Sequence, residues 1–258
     1  MHIKAAAGLL LAVSCGAAQG TPEVRFLNLA PSPYTLRHDA LRAGCGILLS
    51  LERLAREHKL PLRATFHDAV PSLEKPEQAK ALVRGARVLV IGGSAWAQGS
   101  ASYPRRFFEL VDAEDLAGVS ATAWATAGGV HTGGEVVIAD TLRTLMGMGA
   151  QVFTLGQKSM VFPTGERFDP QAEGEFTMLD CWFMEQFAKN IALVALAGND
   201  RAKAEAIEKQ LDFTPIYWSR FPKDEATLVP RFRQLRDQLN AAADAKSEAY
   251  KKLRTLVR

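Results

Sequence analysis

The sequence predicts a doubly wound α/β domain, a five-stranded parallel sheet in the order 2-1-3-4-5, followed by a C-terminal helical appendage. Three observations predict it. Short apolar runs alternate with segments of three- and four-residue apolar periodicity five times between residues 24 and 197. One of those runs, Arg87–Gly92 (RVLVIG), is apolar without interruption, the pattern of a strand buried on both faces of a parallel sheet. Small-residue runs follow the third and fourth strands, where loops leave the sheet.

Taken in order, Val24–Ala30 reads as a buried strand, broken by Pro31-Ser32-Pro33-Tyr34-Thr35. Leu36, Ala40, Ala43, Ile47, Leu51 and Leu54 then recur at helical steps, predicting a helix over 36–58. Leu62–Phe66 is a second strand, and Pro71–Arg84 a loop plus helix. After the third strand, Tyr103–Val111 begins a helix with an aromatic face. Val119–Thr126 is the fourth strand. Glu135–Met148 is a helix predicted to bury Val136, Ala139, Leu142 and Leu145. Ala150–Leu155 is the fifth strand, followed by a long polar loop to Glu175 and a strongly apolar helix over Met178–Ala197. A six-stranded Rossmann arrangement is disfavoured, because no GxGxxG opens the first helix.

The bulk properties bound the function. The 258 residues are 48% hydrophobic and 23% charged, a globular composition long enough to bury a core without metal or disulfide staples. A net charge of +3 does not argue for nucleic acid. Three cysteines with no CxxC or Cys/His cluster suggest neither a disulfide framework nor zinc. No GxSxG elbow supports hydrolase chemistry.

Residues 1–20 have the layout of a secretory signal peptide: Lys4, an apolar and small-residue run over Ala5–Ser14, then small residues at Ala18 and Gly20. Ala12-Val13-Ser14-Cys15 also resembles a lipobox, with Ala where Leu is usual, so Cys15 is a candidate lipid anchor. This predicts an exported, periplasmic protein; the alternative is a cytoplasmic one whose first residues form an ordinary apolar element. The mature chain then divides into a domain over 21–198 and an extension over 199–258. From 231 to 258, eight basic residues face three acidic ones, net +5. That run reads as a solvated helix face or as peripheral contact with an anionic membrane or a partner protein.

Two stretches carry a family resemblance: 88–110 (VLVIGGSAWAQGSASYPRRFFEL) and 120–156 (SATAWATAGGVHTGGEVVIADTLRTLMGMGAQVFTLG). They resemble the flavodoxin-like NAD(P)H:quinone and FMN reductases, especially the Trp-repressor-binding-protein type. The likeness covers roughly 24–197, and strand, loop and helix recur in the family's order at compatible spacing. It implies a flavodoxin-like fold and an FMN site beyond the carboxyl ends of the strands, where strand order reverses. Ser32, Tyr34, Thr35 and Arg37 would hold the phosphate at a helix start. Ser94, Ala95, Trp96, Ala97, Gln98 and Gly99 would lie along the isoalloxazine ring, with Trp96 flanking it. Thr126, Ala127, Gly128 and Gly129 would approach the ring edge. His131 would be the substrate-side contact or proton source.

The implied activity is two-electron transfer from NAD(P)H or another donor to a quinone-like acceptor. Relatives form dimers or tetramers, so a homo-oligomer is implied too. In this fold the first and fifth helices cover one sheet face, so Cys45 and Cys181 are candidates for a disulfide. The first loop departs from the family, with two prolines and no glycine, and each proline removes an amide donor. An exported protein also meets no nicotinamide pool. Both points favour the alternative, an exported flavodoxin-like binding protein without redox activity.

Overall fold

The computed structural model describes residues 20–30, 40–95, 102–127, 133–154, 161–163, 178–212, 237–239, 241, 242 and 245. Its sheet comprises β1 (Glu23–Asn28), β2 (Arg63–Asp68), β3 (Val88–Ser94), β4 (Ser120–Ala127), β5 (Gln151–Val152) and β6 (Val161–Pro163). The helices are α1 (Ala40–Glu57), α2 (Pro76–Val83), α3 (Ser102–Phe108), α4 (Gly134–Gly147), α5 (Met178–Ala197) and α6 (Arg201–Gln210). All strand pairs are parallel and their order is β2-β1-β3-β4-β5, the predicted doubly wound sheet.

The far edge differs from the sequence expectation. Ala150–Leu155 was expected as one strand, but β5 ends at Val152 and the edge resumes as β6. β5 pairs with Ser120 and Ala121 of β4, and β6 with Ala125, Thr126 and Ala127. The two pieces therefore follow each other along one side of β4. Pro163 is tolerated there because an edge strand can spare an amide donor.

The two faces follow from period-two alternation. Phe26, Val90, Gly92 and Trp124 lie on the face covered by α1 and α5. Leu27, Ile91 and Gly93 lie on the face covered by α2, α3 and α4. The consecutive glycines Gly92 and Gly93 thus serve opposite faces. A methyl on Gly92 would fall inside the Trp124 indole, and one on Gly93 would sit 2.7 Å from Val137 Cγ1. Gly44 on α1 lacks a side chain for the same reason as Gly92: the indole occupies its place. Phe26, Phe66 and Trp124 form a triangle with ring centroids 6.0–6.3 Å apart.

The close approach at Gly93 also sets the rotation of α4. Its buried residues are Gly134, Val137, Ile138, Thr141 and Leu145, whereas Val136 is 45% exposed. Of the expected stripe, Leu145 is buried and Leu142 packs against the core, but Val136 turns outward and Val137, Ile138 and Thr141 take the inner positions. Both stripes are apolar at helical spacing, so periodicity alone could not choose between them. Val137 wins because Gly93 leaves room for it. Thr141 fits inside by donating its hydroxyl to Val137 O at 2.7 Å.

Helix α5 is the most enclosed. From Asp180 to Ala197 none of its residues is exposed, so its apolar character reflects coverage by more than the sheet. It packs on α1 and α6, and Ile207, Leu211 and Leu239 join the same core. On α5, buried Glu185 receives Arg53 of α1 at 2.6 Å and Lys189 at 3.4 Å. Lys189 also donates to Asp212 O at 3.2 Å. Cys45 and Cys181 are buried thiols on these two packed helices.

Candidate functional site

The crevice of a doubly wound sheet opens where neighbouring strands send their chains to opposite faces. Here that point lies between β1, which leads to α1, and β3, which leads to α3. The described part of the site is the row of residues ending β1, β3 and β4.

Asn28 ends β1 and is fully buried. Its Nδ2 donates to Ala30 O at 3.2 Å and to Asp68 Oδ1 at 3.1 Å. Both partners are acceptors, which fixes the orientation of the amide. Its Oδ1 has no hydrogen-bond partner among the described residues. Leu29 N donates to Gly92 O at 2.9 Å, carrying the β1–β3 ladder one step beyond the strand. The chain thus leaves β1 in a defined direction before Pro31.

Ser94 and Thr126 are Cα partners at the ends of β3 and β4. Their hydroxyls lie 3.1 Å apart, and Ala95 N donates to Thr126 O at 2.8 Å. Ser94 and Ala95 are half-buried, Thr126 and Ala127 buried. Parallel pairing therefore persists to the last residue of each strand, and the two loops depart from adjacent backbone. At the far side of the second loop, Gly133 (φ 100°) opens α4, its carbonyl accepting from Val136 N and Val137 N at 3.1 Å. That φ lies in the left-handed region glycine adopts without strain.

Of the residues the resemblance implies for FMN, the structure brings Ser94, Ala95, Thr126 and Ala127 together. Ser32, Tyr34, Thr35, Arg37, Trp96, Ala97, Gln98, Gly99, Gly128, Gly129 and His131 lie outside the described residues. Two residues that sequence reasoning passed over belong to the framework of the site. One is Asn28, hidden in an apolar strand. The other is Trp124, whose Nε1 donates to Ala40 O at 3.0 Å, at the first residue of α1. A signal existed for the second: one tryptophan in a strand otherwise made of Ser, Ala and Thr, facing a Gly-Gly pair one strand away.

Among the described residues, the ends of β1, β3 and β4 carry neutral polar groups only. At the end of β2, His67 precedes Asp68 and contacts Thr65 Oγ1 through Nε2 at 3.1 Å. Burial pushes its pKa below the usual imidazole value of 6.5, and the Arg25 charge adds to that against the opposing pull of Glu23. No group of three or more metal-ligating side chains occurs among the described residues. None of the described helices is long and apolar enough to cross a membrane.

No protein-family model and no curated protein matches the chain. Solved structures do. An oxidoreductase from Corynebacterium diphtheriae aligns over 68% of this chain and 97% of its own, at 18% identity and a TM-score of 0.52. A flavodoxin, WrbA-like protein from Agrobacterium tumefaciens aligns over 67% and 97%, at 10% identity and a TM-score of 0.46. An NADH:FMN oxidoreductase in its apo form aligns over 80% and 98%, at 14% identity and a TM-score of 0.42. With the strand order 2-1-3-4-5, the first of these shows the fold to be flavodoxin-like.

Proposed function

We propose that the strand-end crevice binds FMN and that the chain is a flavodoxin-like oxidoreductase, passing two electrons from NAD(P)H or another donor to a quinone-like acceptor. The observation that carries this reading is the in-register end of β3 and β4. The Ser94–Thr126 hydroxyl pair and the Ala95–Thr126 backbone bond start two loops side by side at the switch point. The described groups fit such a cofactor. Among the described residues the ends of β1, β3 and β4 are neutral and half-buried or buried, and the neighbouring Asp68 carboxylate of β2 accepts from Asn28 Nδ2.

Bound FMN would supply the redox chemistry. The chain's own part is binding and orientation. Ser32, Tyr34, Thr35 and Arg37 would hold the phosphate with side-chain donors, replacing the amides that Pro31 and Pro33 lack. Ser94–Gly99 and Thr126–Gly129 would line the ring, and His131 would face the acceptor.

A second reading rests on that same first loop. Two prolines and no glycine suit an exported binding protein that has lost the cofactor. A visible absorption spectrum of the purified chain, taken before and after adding FMN and desalting, separates the two. Retained flavin absorption supports the oxidoreductase and leads to NAD(P)H and quinone turnover assays. A folded protein that retains none overturns it and leaves the binding protein.

A further inference from the structure

The outer surface of α4 carries a pattern that the interior of the chain does not account for. Among the described residues the exposed large hydrophobic side chains are Tyr103, Val136 and Met146, all on the neighbouring helices α3 and α4. α4 packs inward on β3, β4 and β5, and its outward stripe runs Val136, Asp140, Arg143 and Gly147. Steps of four, three and four residues keep these positions on one line along the helix. Met146, 56% exposed, flanks that line. At its middle Arg143 Nη1 donates to Asp140 Oδ1 at 2.9 Å, and the arginine side chain stays 76% exposed. Gly147 has no internal reason to lack a side chain. A Cβ there would meet nothing within 4 Å, and its φ lies outside the left-handed region. Gly44 of α1 differs, since the Trp124 indole fills its place. Glycine weakens a helix, so a bare position on an exposed stripe suits close approach from outside.

The order of the stripe is self-complementary. Reversed, the spacing is unchanged, Val136 falls on Gly147 and Asp140 falls on Arg143. A two-fold axis midway between Asp140 and Arg143 therefore sets large against small and acid against base, each of them twice. We propose that this face of α4 is a two-fold interface with a second copy of the chain, the two α4 helices running antiparallel. Val136 seats over the partner's Gly147, and Arg143 reaches the partner's Asp140. The two internal ion pairs thereby join into a ring of four alternating charges, with Met146 covering its edge. A helix of another protein would have to carry the complementary order separately, whereas a second copy carries it by symmetry. Neither side of this contact needs a bound flavin.

Sedimentation velocity of the purified full chain, from about 1 to about 100 μM, provides the test. The expected result is a monomer–dimer equilibrium in that range. Arg143→Asp sets like charges against each other and should raise the dissociation constant by at least about tenfold. Adding Asp140→Arg exchanges the two charges and restores the match across the axis. That double variant should return to within about threefold of wild type. Gly147→Phe fills the seat of Val136 and should also weaken the dimer by at least about tenfold. Arg143 and Gly147 are exposed, so both single variants keep the fold, which circular dichroism checks. A wild-type chain that stays monomeric overturns the proposal and leaves the face to a different protein. A dimer indifferent to either single variant overturns it as well, because the contact then lies elsewhere. A dimer lost in Arg143→Asp and not regained in the double variant overturns the two-fold pairing.

Discussion

At the amino ends of the strands the contacts are ion pairs; at the carboxyl ends, among the described residues, they are hydrogen bonds of neutral side chains, one of them donated to the Asp68 carboxylate. Glu23 bridges Arg25 at 2.9 Å and Arg63 at 3.0 Å. Arg25 also donates to the carbonyls of Ala81, Leu82 and Arg84 at the C-terminal end of α2, where a cation complements the helix dipole. Nearby, Lys80 pairs with Asp112 and Arg84 with Asp115, both at 2.6 Å, closing α2 onto the turn before β4. The opposite end uses an asparagine amide and a Ser–Thr hydroxyl pair instead. The difference teaches where charge is spent. Ion pairs finish the amino ends, while the described ends of β1, β3 and β4, where the flavin is proposed to bind, carry neutral side chains. Beneath that neutral rim the packing is tight, since Trp124 leaves no room for a side chain at Gly92 or Gly44.

The sharpest way to break this contrast is Gly92→Ala, which drives a methyl into a fully buried indole. Chemical denaturation should show a loss of about 3 kcal/mol, the upper range for overpacking. A neutral result would mean that the sheet and α1 separate easily.

Arg25→Met tests the ionic end. It keeps the aliphatic stem and removes the donors serving Glu23 and three carbonyls, so the same measurement should show a loss of about 2 kcal/mol. Ser94→Ala removes one neutral hydrogen bond at the rim and should cost only about 1 kcal/mol, yet weaken FMN retention after desalting. If Ser94→Ala destabilises more than Arg25→Met, the division between an ionic end and a neutral one fails.

Smallest is a pH dependence confined to the amino-end network and β2. Burial holds His67 below 6.5 in the folded state, so the unfolded chain takes up protons first. Its contribution is complete above about pH 6.5 and declines as pH falls below that value. The Glu23 carboxyl is held below 4.5, chiefly by its hydrogen bond from Arg25. Its contribution is complete above about pH 4.5 and is lost as pH falls through the lower folded value. Urea midpoints followed from about pH 8 to about pH 3 should therefore fall in two stages, and His67→Gln should flatten the first. A first stage unchanged in that variant would assign it to another group.

Much of the fold was legible because its signals are local. The apolar run at Arg87–Gly92 became β3, and the helix expected over Met178–Ala197 has those bounds in the structure. The rotation of α4 was not legible, because Val136 and Val137 head equally apolar stripes and the choice depends on Gly93, two elements away. The break between β5 and β6 was also hidden, since short edge strands carry too few residues to show alternation. At the site, Ser94, Ala95, Thr126 and Ala127 came from the family resemblance, and the structure places them on adjacent strand ends. Asn28 was not, because one polar residue in an apolar run is silent about its partner.

By itself, then, the sequence determined the succession of strands and helices, the parallel sheet they form and the ends where its loops gather. These depend on side-chain periodicity over a few neighbouring residues. Tertiary structure decided which stripe of α4 turns inward, that Ser94 meets Thr126, and that Trp124 reaches Ala40 across the space left by two glycines. Those outcomes depend on how closely separate elements approach, which is set by the side chains that are missing as much as by those present.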